Sequence, residues 1–128
     1  MARELKGGQG IYPPVVKFNN AGETFVGVLS GIKDSGKFGK VFQFKAVAGT
    51  SFIGRPDGTK NEKGHNNYKS VDIKSGDLVD LGTSTNSQLE QKLLQAIVGE
   101  KIEVIFTGWK VNPKSGRSFK DYKVTVVD

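Results

Sequence analysis

Near its C-terminus the chain alternates apolar and polar residues with a period of two, and that period leaves little choice of local structure. The segments are Lys101-Ile-Glu-Val-Ile-Phe-Thr-Gly-Trp-Lys110 and Phe119-Lys-Asp-Tyr-Lys-Val-Thr-Val-Val127. Successive side chains of a strand point to opposite faces, so such segments hide one face and wet the other only as β-strands. Joined by Val111-Asn-Pro-Lys-Ser-Gly-Arg-Ser118, they predict a hairpin. Placing Ile102, Val104, Phe106 and Gly108 inside with Tyr122, Val124 and Val126 gives the pairs Phe106–Val124 and Gly108–Tyr122. That register leaves the three-residue loop Lys114-Ser115-Gly116, with glycine where a type I turn plus G1 bulge needs it.

The rest of the chain is read around this hairpin. Residues 1–22 hold five glycine or proline positions before Gly22 and read as an arm with at most one short strand, Val15–Phe18. A domain then spans 23–128. Thr24–Ile32 is β-branched and apolar, with Gly27 and Gly31 as bend points, and Lys40–Val47 alternates. Gly49–Asn67 reads as a long polar loop with turn signals at Arg55-Pro-Asp-Gly58 and Gly64-His-Asn-Asn67. Tyr68–Ile73 and Leu78–Leu81 form one strand interrupted at Ser75-Gly-Asp77, or two short ones. Ser87 and Glu90 fit a capping box, Gly99 a C-terminal stop, and Leu89, Leu93, Ala96 and Ile97 one apolar stripe, which together predict an eleven-residue helix. Five strands with a helix between the third and fourth make an all-β chain of small helical content. This is the order of an OB-type Greek-key barrel, a fold that binds oligonucleotides.

Composition narrows the function. A length of 128 residues suits one domain, and 17 glycines are about twice the usual ~7%. The absence of cysteine excludes disulfides, thiolate zinc sites and a cysteine nucleophile. No run approaches the ~18 apolar residues of a membrane span, and Met-Ala-Arg-Glu-Leu-Lys-Gly-Gly lacks a signal-peptide core, so a cytoplasmic location without membrane contact is expected. The net charge of +6 is segregated: residues 33–74 carry +5, 75–108 carry −3 and 109–123 carry +4. Both basic blocks are loop-rich, which suits a polyanion, although such a net charge also serves solubility.

The hairpin register sends Trp109 outward opposite Asp121, with Phe119 and Lys123 as diagonal neighbours. With Lys110, Lys114, Arg117 and Lys120 around them, Trp109 and Phe119 suit base stacking and phosphate contact; the other role for these rings is a barrel edge or a subunit contact. Phe38, set among Lys33, Lys37 and Lys40, either meets a partner or tucks onto the barrel. In the second strand Phe42 and Phe44 are assigned to the core and Lys45 to the opposite face as a phosphate contact. Arg55, Tyr68 and Lys69 either clamp a strand or belong to a solvated loop. Gly31-Ile-Lys-Asp-Ser-Gly-Lys37 matches a phosphate-binding loop only loosely, since Phe38 stands where the Mg²⁺-binding hydroxyl belongs. The single histidine, His65, offers no triad or zinc set, and no cofactor or catalysis is expected.

Gly99-Glu-Lys-Ile-Glu-Val-Ile-Phe-Thr-Gly-Trp109, Pro113-Lys-Ser-Gly-Arg117 and Phe119-Lys-Asp-Tyr-Lys-Val124 resemble the OB-fold single-stranded DNA-binding proteins of bacteriophage. The resemblance runs from Thr24 to the C-terminus. It implies binding of single strands without sequence preference in replication, recombination or repair, with replication or recombination proteins as further partners. It also implies a binding set of Lys37, Phe38, Lys40, Lys45, Trp109, Lys114 and Arg117. Many such proteins end in an acidic tail, whereas this sequence ends Lys123-Val-Thr-Val-Val-Asp128, so the resemblance does not extend to tail-mediated recruitment. RNA binding, a protein-interaction or virion barrel, and homo-oligomerisation remain open on the residues.

Overall fold

Alternation of large apolar and polar residues builds the centre of the sheet. Phe25 and Leu29 come from β2 (Thr24–Asp34), Phe42, Phe44 and Ala46 from β3 (Lys40–Gly49), and Ile102, Val104 and Phe106 from β7 (Lys101–Val111). All are buried, and each fully buried Phe, Leu or Ile side chain contributes about 1.5–3 kcal/mol. Phe25 meets Phe44 edge to face at 5.4 Å, in space that Gly27 leaves open, since a Cβ there would lie 2.8 Å from the Phe25 ring.

The computed structural model describes residues 13–34, 39–83 and 86–128. The remaining elements are β1 (Val15–Lys17), β4 (Phe52–Lys60), β5 (Asn66–Ser70), β6 (Leu78–Gly82), α1 (Ser87–Leu94) and β8 (Ser118–Val127). The strands form one curled half-barrel sheet in the order β5-β4-β1-β6-β3-β2-β7-β8. Among the described residues only the β1–β6 pair is parallel. No helix of the described residues is long and apolar enough to cross a membrane.

The all-β expectation holds, but the count of five strands does not. Among the described residues there are eight strands, and the helix follows the sixth instead of the third. Most of the difference lies at Gly49–Asn67, expected as a loop, which supplies β4 and the first residues of β5. Its Pro56 and Gly58 read as strand breakers. Pro56 is tolerated because β4 runs past its β1 partner at Gly54, so the missing N–H interrupts no ladder on that side. Gly58 sits at φ +91° in a register shift between Pro56 and Lys60, where the Asp57 carboxylate accepts from the Thr59 N–H at 2.8 Å. Val16 and Phe18, from the segment read as an arm, are buried in the common core.

The hairpin forms, but its register differs from the expected one. Val104 pairs with Val124 and Phe106 with Tyr122, two residues from the anticipated alignment. A bulge between Phe106 and Gly108, with Gly108 at φ +126°, then moves the register by one, so that Trp109 pairs with Lys120. The turn closes through the Asn112 N–H donating to the Arg117 carbonyl at 2.9 Å, and the Gly116 N–H to the Asn112 carbonyl at 2.8 Å. Gly116 takes φ +71°, as anticipated, but in a longer loop. Val126, expected inside, is exposed.

The helix is also shorter than expected. Asn86, not Ser87, is the N-cap, its side chain accepting from the Leu89 N–H at 2.9 Å. The helix stops at Leu94, so Leu89 and Leu93 are buried while Ile97 lies beyond the last turn and is exposed. α1 covers the open edge of β8: Asn86 Nδ2 donates to the Lys120 carbonyl at 2.8 Å and Lys92 Nζ to the Tyr122 carbonyl.

Candidate functional site

The bulge in β7 decides which way the single tryptophan faces. Plain alternation would put Trp109 on the face opposite Phe106. With Thr107 as the extra residue, Trp109 instead shares the face of Phe106 and Tyr122, and its ring meets Phe106 edge to face at 6.4 Å. Trp109 is still 63% exposed. It borders a cleft of about 640 Å³ between the β7–β8 hairpin on one side and β1, β6 and the start of α1 on the other. Phe18, Tyr68, Phe119 and Tyr122 also border this cleft.

Two ammonium groups enter it. Lys120, on β8, bridges the two walls by donating from Nζ to the Phe18 carbonyl, and lies 5.7 Å from the Trp109 ring centre and 5.3 Å from that of Phe106. Lys17, on β1, stands 3.8 Å over the Tyr68 ring. Burial, and then the charge of Lys120, hold the Lys17 ammonium below its ordinary pKa. Burial pushes the Tyr122 phenol up to about 12, so it stays neutral at physiological pH. None of the described residues bordering the cleft is Asp or Glu.

The anticipated binding residues divide into four groups. Trp109, Tyr68 and Phe119 come together around the cleft, although Phe119 pairs with Lys110 and is not the diagonal neighbour of Trp109 that plain alternation gives. Lys33, Lys40 and Lys110 are held by carboxylates: Lys33 Nζ lies 3.7 Å from Asp80, Lys40 Nζ 3.6 Å from Asp34 and Lys110 Nζ 3.1 Å from Asp121. The hydrogen bond from Thr107 and then that from Lys110 keep the Asp121 carboxyl below its usual range. Burial raises that of Asp80, whose Oδ1 has no hydrogen-bond partner. Lys45, Lys69, Lys114, Arg117 and Lys123 are exposed and spread over β3, β5, the hairpin turn and β8, with Arg55 directly opposite Lys69 across β4 and β5. Lys37 and Phe38 lie outside the described residues.

Sequence reasoning did not select Lys17, and it named Lys120 only as one of the cations around Trp109 and Phe119. Lys17 alternates with buried Val16 and Phe18, which marks a strand position but not what that face meets. Lys120 reaches the cleft only because the bulge changes the pairing, and the available signal was a glycine, Gly108, inside an alternating strand. Compared with protein-family models, curated proteins and solved structures, the chain matches none of them.

Proposed function

We propose that this protein binds single-stranded DNA without sequence preference, stacking bases on exposed aromatic rings while lysines neutralise the backbone, in replication, recombination or repair. The observation that carries the reading is Trp109: a largely exposed indole beside Lys120, at the mouth of an aromatic cleft bordered by two ammonium groups and no described carboxylate. A base stacked on such a ring contributes about 1–3 kcal/mol, and stacking tolerates any sequence because every base has a π-face. The sheet supports the OB-type interpretation. β2, β3, β6, β7 and β8 lie in the order β6-β3-β2-β7-β8, with α1 between β6 and β7 in the chain, and β1 with the β4–β5 hairpin extends this set.

Trp109 is the only tryptophan and reports on its own surroundings. Titration with oligo-dT is expected to quench its emission, with affinity falling steeply as salt rises and duplex DNA competing poorly. No quenching and no gel retardation of single strands at low salt would overturn the reading. Equal affinity for oligo-U would assign the site to single strands of either sugar. A Trp109→Ala change that alters the mass in solution without any DNA binding would assign the ring to a subunit contact.

A further inference from the structure

The cations of this chain are not all treated alike. Lys33, Lys40 and Lys110 each face a carboxylate, as surface lysines commonly do. Lys17 and Lys120 instead rest against aromatic rings and a backbone carbonyl, on the walls of the same cleft. Lys120 is bonded to the carbonyl of Phe18, the residue next to Lys17, and its charge acts on the Lys17 ammonium across the same cleft. The charge of Lys120 also reaches Glu23, but that carboxylate accepts from the Asn19 N–H at 2.7 Å and from Asn20 Nδ2 at 3.2 Å, and it does not border the cleft. Two like charges brought together in a partly desolvated place raise the energy of the empty cleft, and a bound anion removes that penalty.

We propose that Lys17 and Lys120 jointly hold one backbone phosphate of a bound single strand inside the cleft, with the adjoining base against Trp109. The inference rests on the single-strand reading above and deepens it by naming a phosphate position. The rings explain why the anion carries a base: Trp109 and Tyr68 flank the two ammonium groups, and the cleft volume lies in the range of small-ligand sites. Binding draws Lys120 from the Phe18 carbonyl towards the phosphate and frees the indole face for stacking.

The test compares wild type with two double variants. In Lys17→Gln/Lys120→Gln the charges are lost, but the new amide at position 120 can still donate across the cleft. Lys17→Arg/Lys120→Arg keeps both charges. Oligo-dT affinity is read against salt concentration, with circular dichroism to verify folding. The Gln pair is expected to bind at least tenfold more weakly and to lower the slope of log K against log salt by about 0.7, one phosphate's share on a single strand. The Arg pair is expected to restore the wild-type slope. Inorganic phosphate at matched ionic strength is expected to leave the strand bound, and displacement by phosphate alone would overturn the base contact. A wild-type slope in the folded Gln pair overturns the inference and leaves the single-strand reading standing. A fall of about 1.4 overturns the sharing of one phosphate. Failure of wild type to bind any single strand removes both readings. If the Gln pair does not fold, the Arg pair decides: unaltered affinity and slope support the charge pair, and loss of binding in the folded Arg pair overturns it.

Discussion

Asn86 acts at two places with one side chain. Its Oδ1 accepts from the Leu89 N–H and caps α1, while its Nδ2 donates to the Lys120 carbonyl on the edge of β8. Replacing it by Ala removes the cap and leaves a half-buried carbonyl unpaired, so Asn86→Ala is expected to destabilise the fold by about 1–3 kcal/mol. Ser87→Ala, at the first helical residue, is expected to change stability by less than about 0.5 kcal/mol. Urea denaturation of the two variants checks the difference, and equal losses would contradict the assignment of Asn86 as the cap. The Ser-x-x-Glu spacing pointed one residue too far along because Glu90 has a distant partner that local spacing does not show. Its carboxylate accepts from the Lys40 N–H at 3.0 Å and the Thr83 hydroxyl at 3.3 Å. Core residues were more legible. Phe42 and Phe44 are fully buried, as their alternation with Gln43 and Lys45 indicated, because burial of one face follows directly from the period of a strand.

Hairpin β7–β8 shows where element-scale reading stops. Its existence, both strands and the positive φ of Gly116 follow from alternation and turn chemistry, but the bulge at Thr107 does not. An alternating sequence continues unbroken through Thr107-Gly-Trp109, so the pattern alone assigns Trp109 to the wrong face. What admits the extra residue is backbone freedom at Gly108, which holds φ +126°. Gly108→Val is therefore expected to cost on the order of 1–3 kcal/mol, since a β-branched residue is strained there. Deleting Thr107 restores one-for-one pairing and still leaves Trp109 opposite Lys120. It is expected to cost less, roughly the 0.5–1.5 kcal/mol of the exposed bond from Thr107 to Asp121. Thermal or urea unfolding ranks the two, and a reversed order would contradict the assignment of the bulge to the backbone freedom of Gly108. The β4–β5 hairpin escaped reading for the opposite reason. Gly54, Pro56 and Gly58 oppose a strand locally, yet a Cβ at Gly54 would lie 2.3 Å from the Lys69 carbonyl oxygen, so the close pairing itself requires glycine.

At the scale of the whole molecule, β1 decides how the sheet holds together. The β4–β5 hairpin joins the rest of the sheet through three residue pairs between β1 and β4, Val15–Gly54, Val16–Ile53 and Lys17–Phe52. On its other side β1 meets β6, with Val15 against Asp80 and the Asp80 N–H donating to the Pro14 carbonyl at 2.8 Å. The pattern at Val15–Phe18 allows a short strand, but the order of elements does not reveal its neighbours, because its parallel partner β6 lies far away in sequence. The segregation of charge does not map simply onto the cleft: of the first basic block only Val41 and Tyr68 border it, and its two ammonium groups come from Lys17, outside both blocks, and Lys120, in the second. Such an arrangement makes stability uneven. β2, β3 and β7 are paired on both sides and carry most of the buried rings, whereas β5 is a terminal strand and β4 beyond Gly54 pairs only with β5. Native-state amide exchange is therefore expected to release β5 and residues 57–60 about 100-fold faster or more than the paired amides of β2, β3 and β7, by local opening that leaves the core folded. Added oligo-dT is expected to slow exchange in β1 and near Tyr68, since the cleft draws Lys17 and Tyr68 into the bound state. Equal protection of β5 and β3 would mean that the outer hairpin folds as one unit with the half-barrel. Its wall of the cleft would then be rigid before the strand arrives.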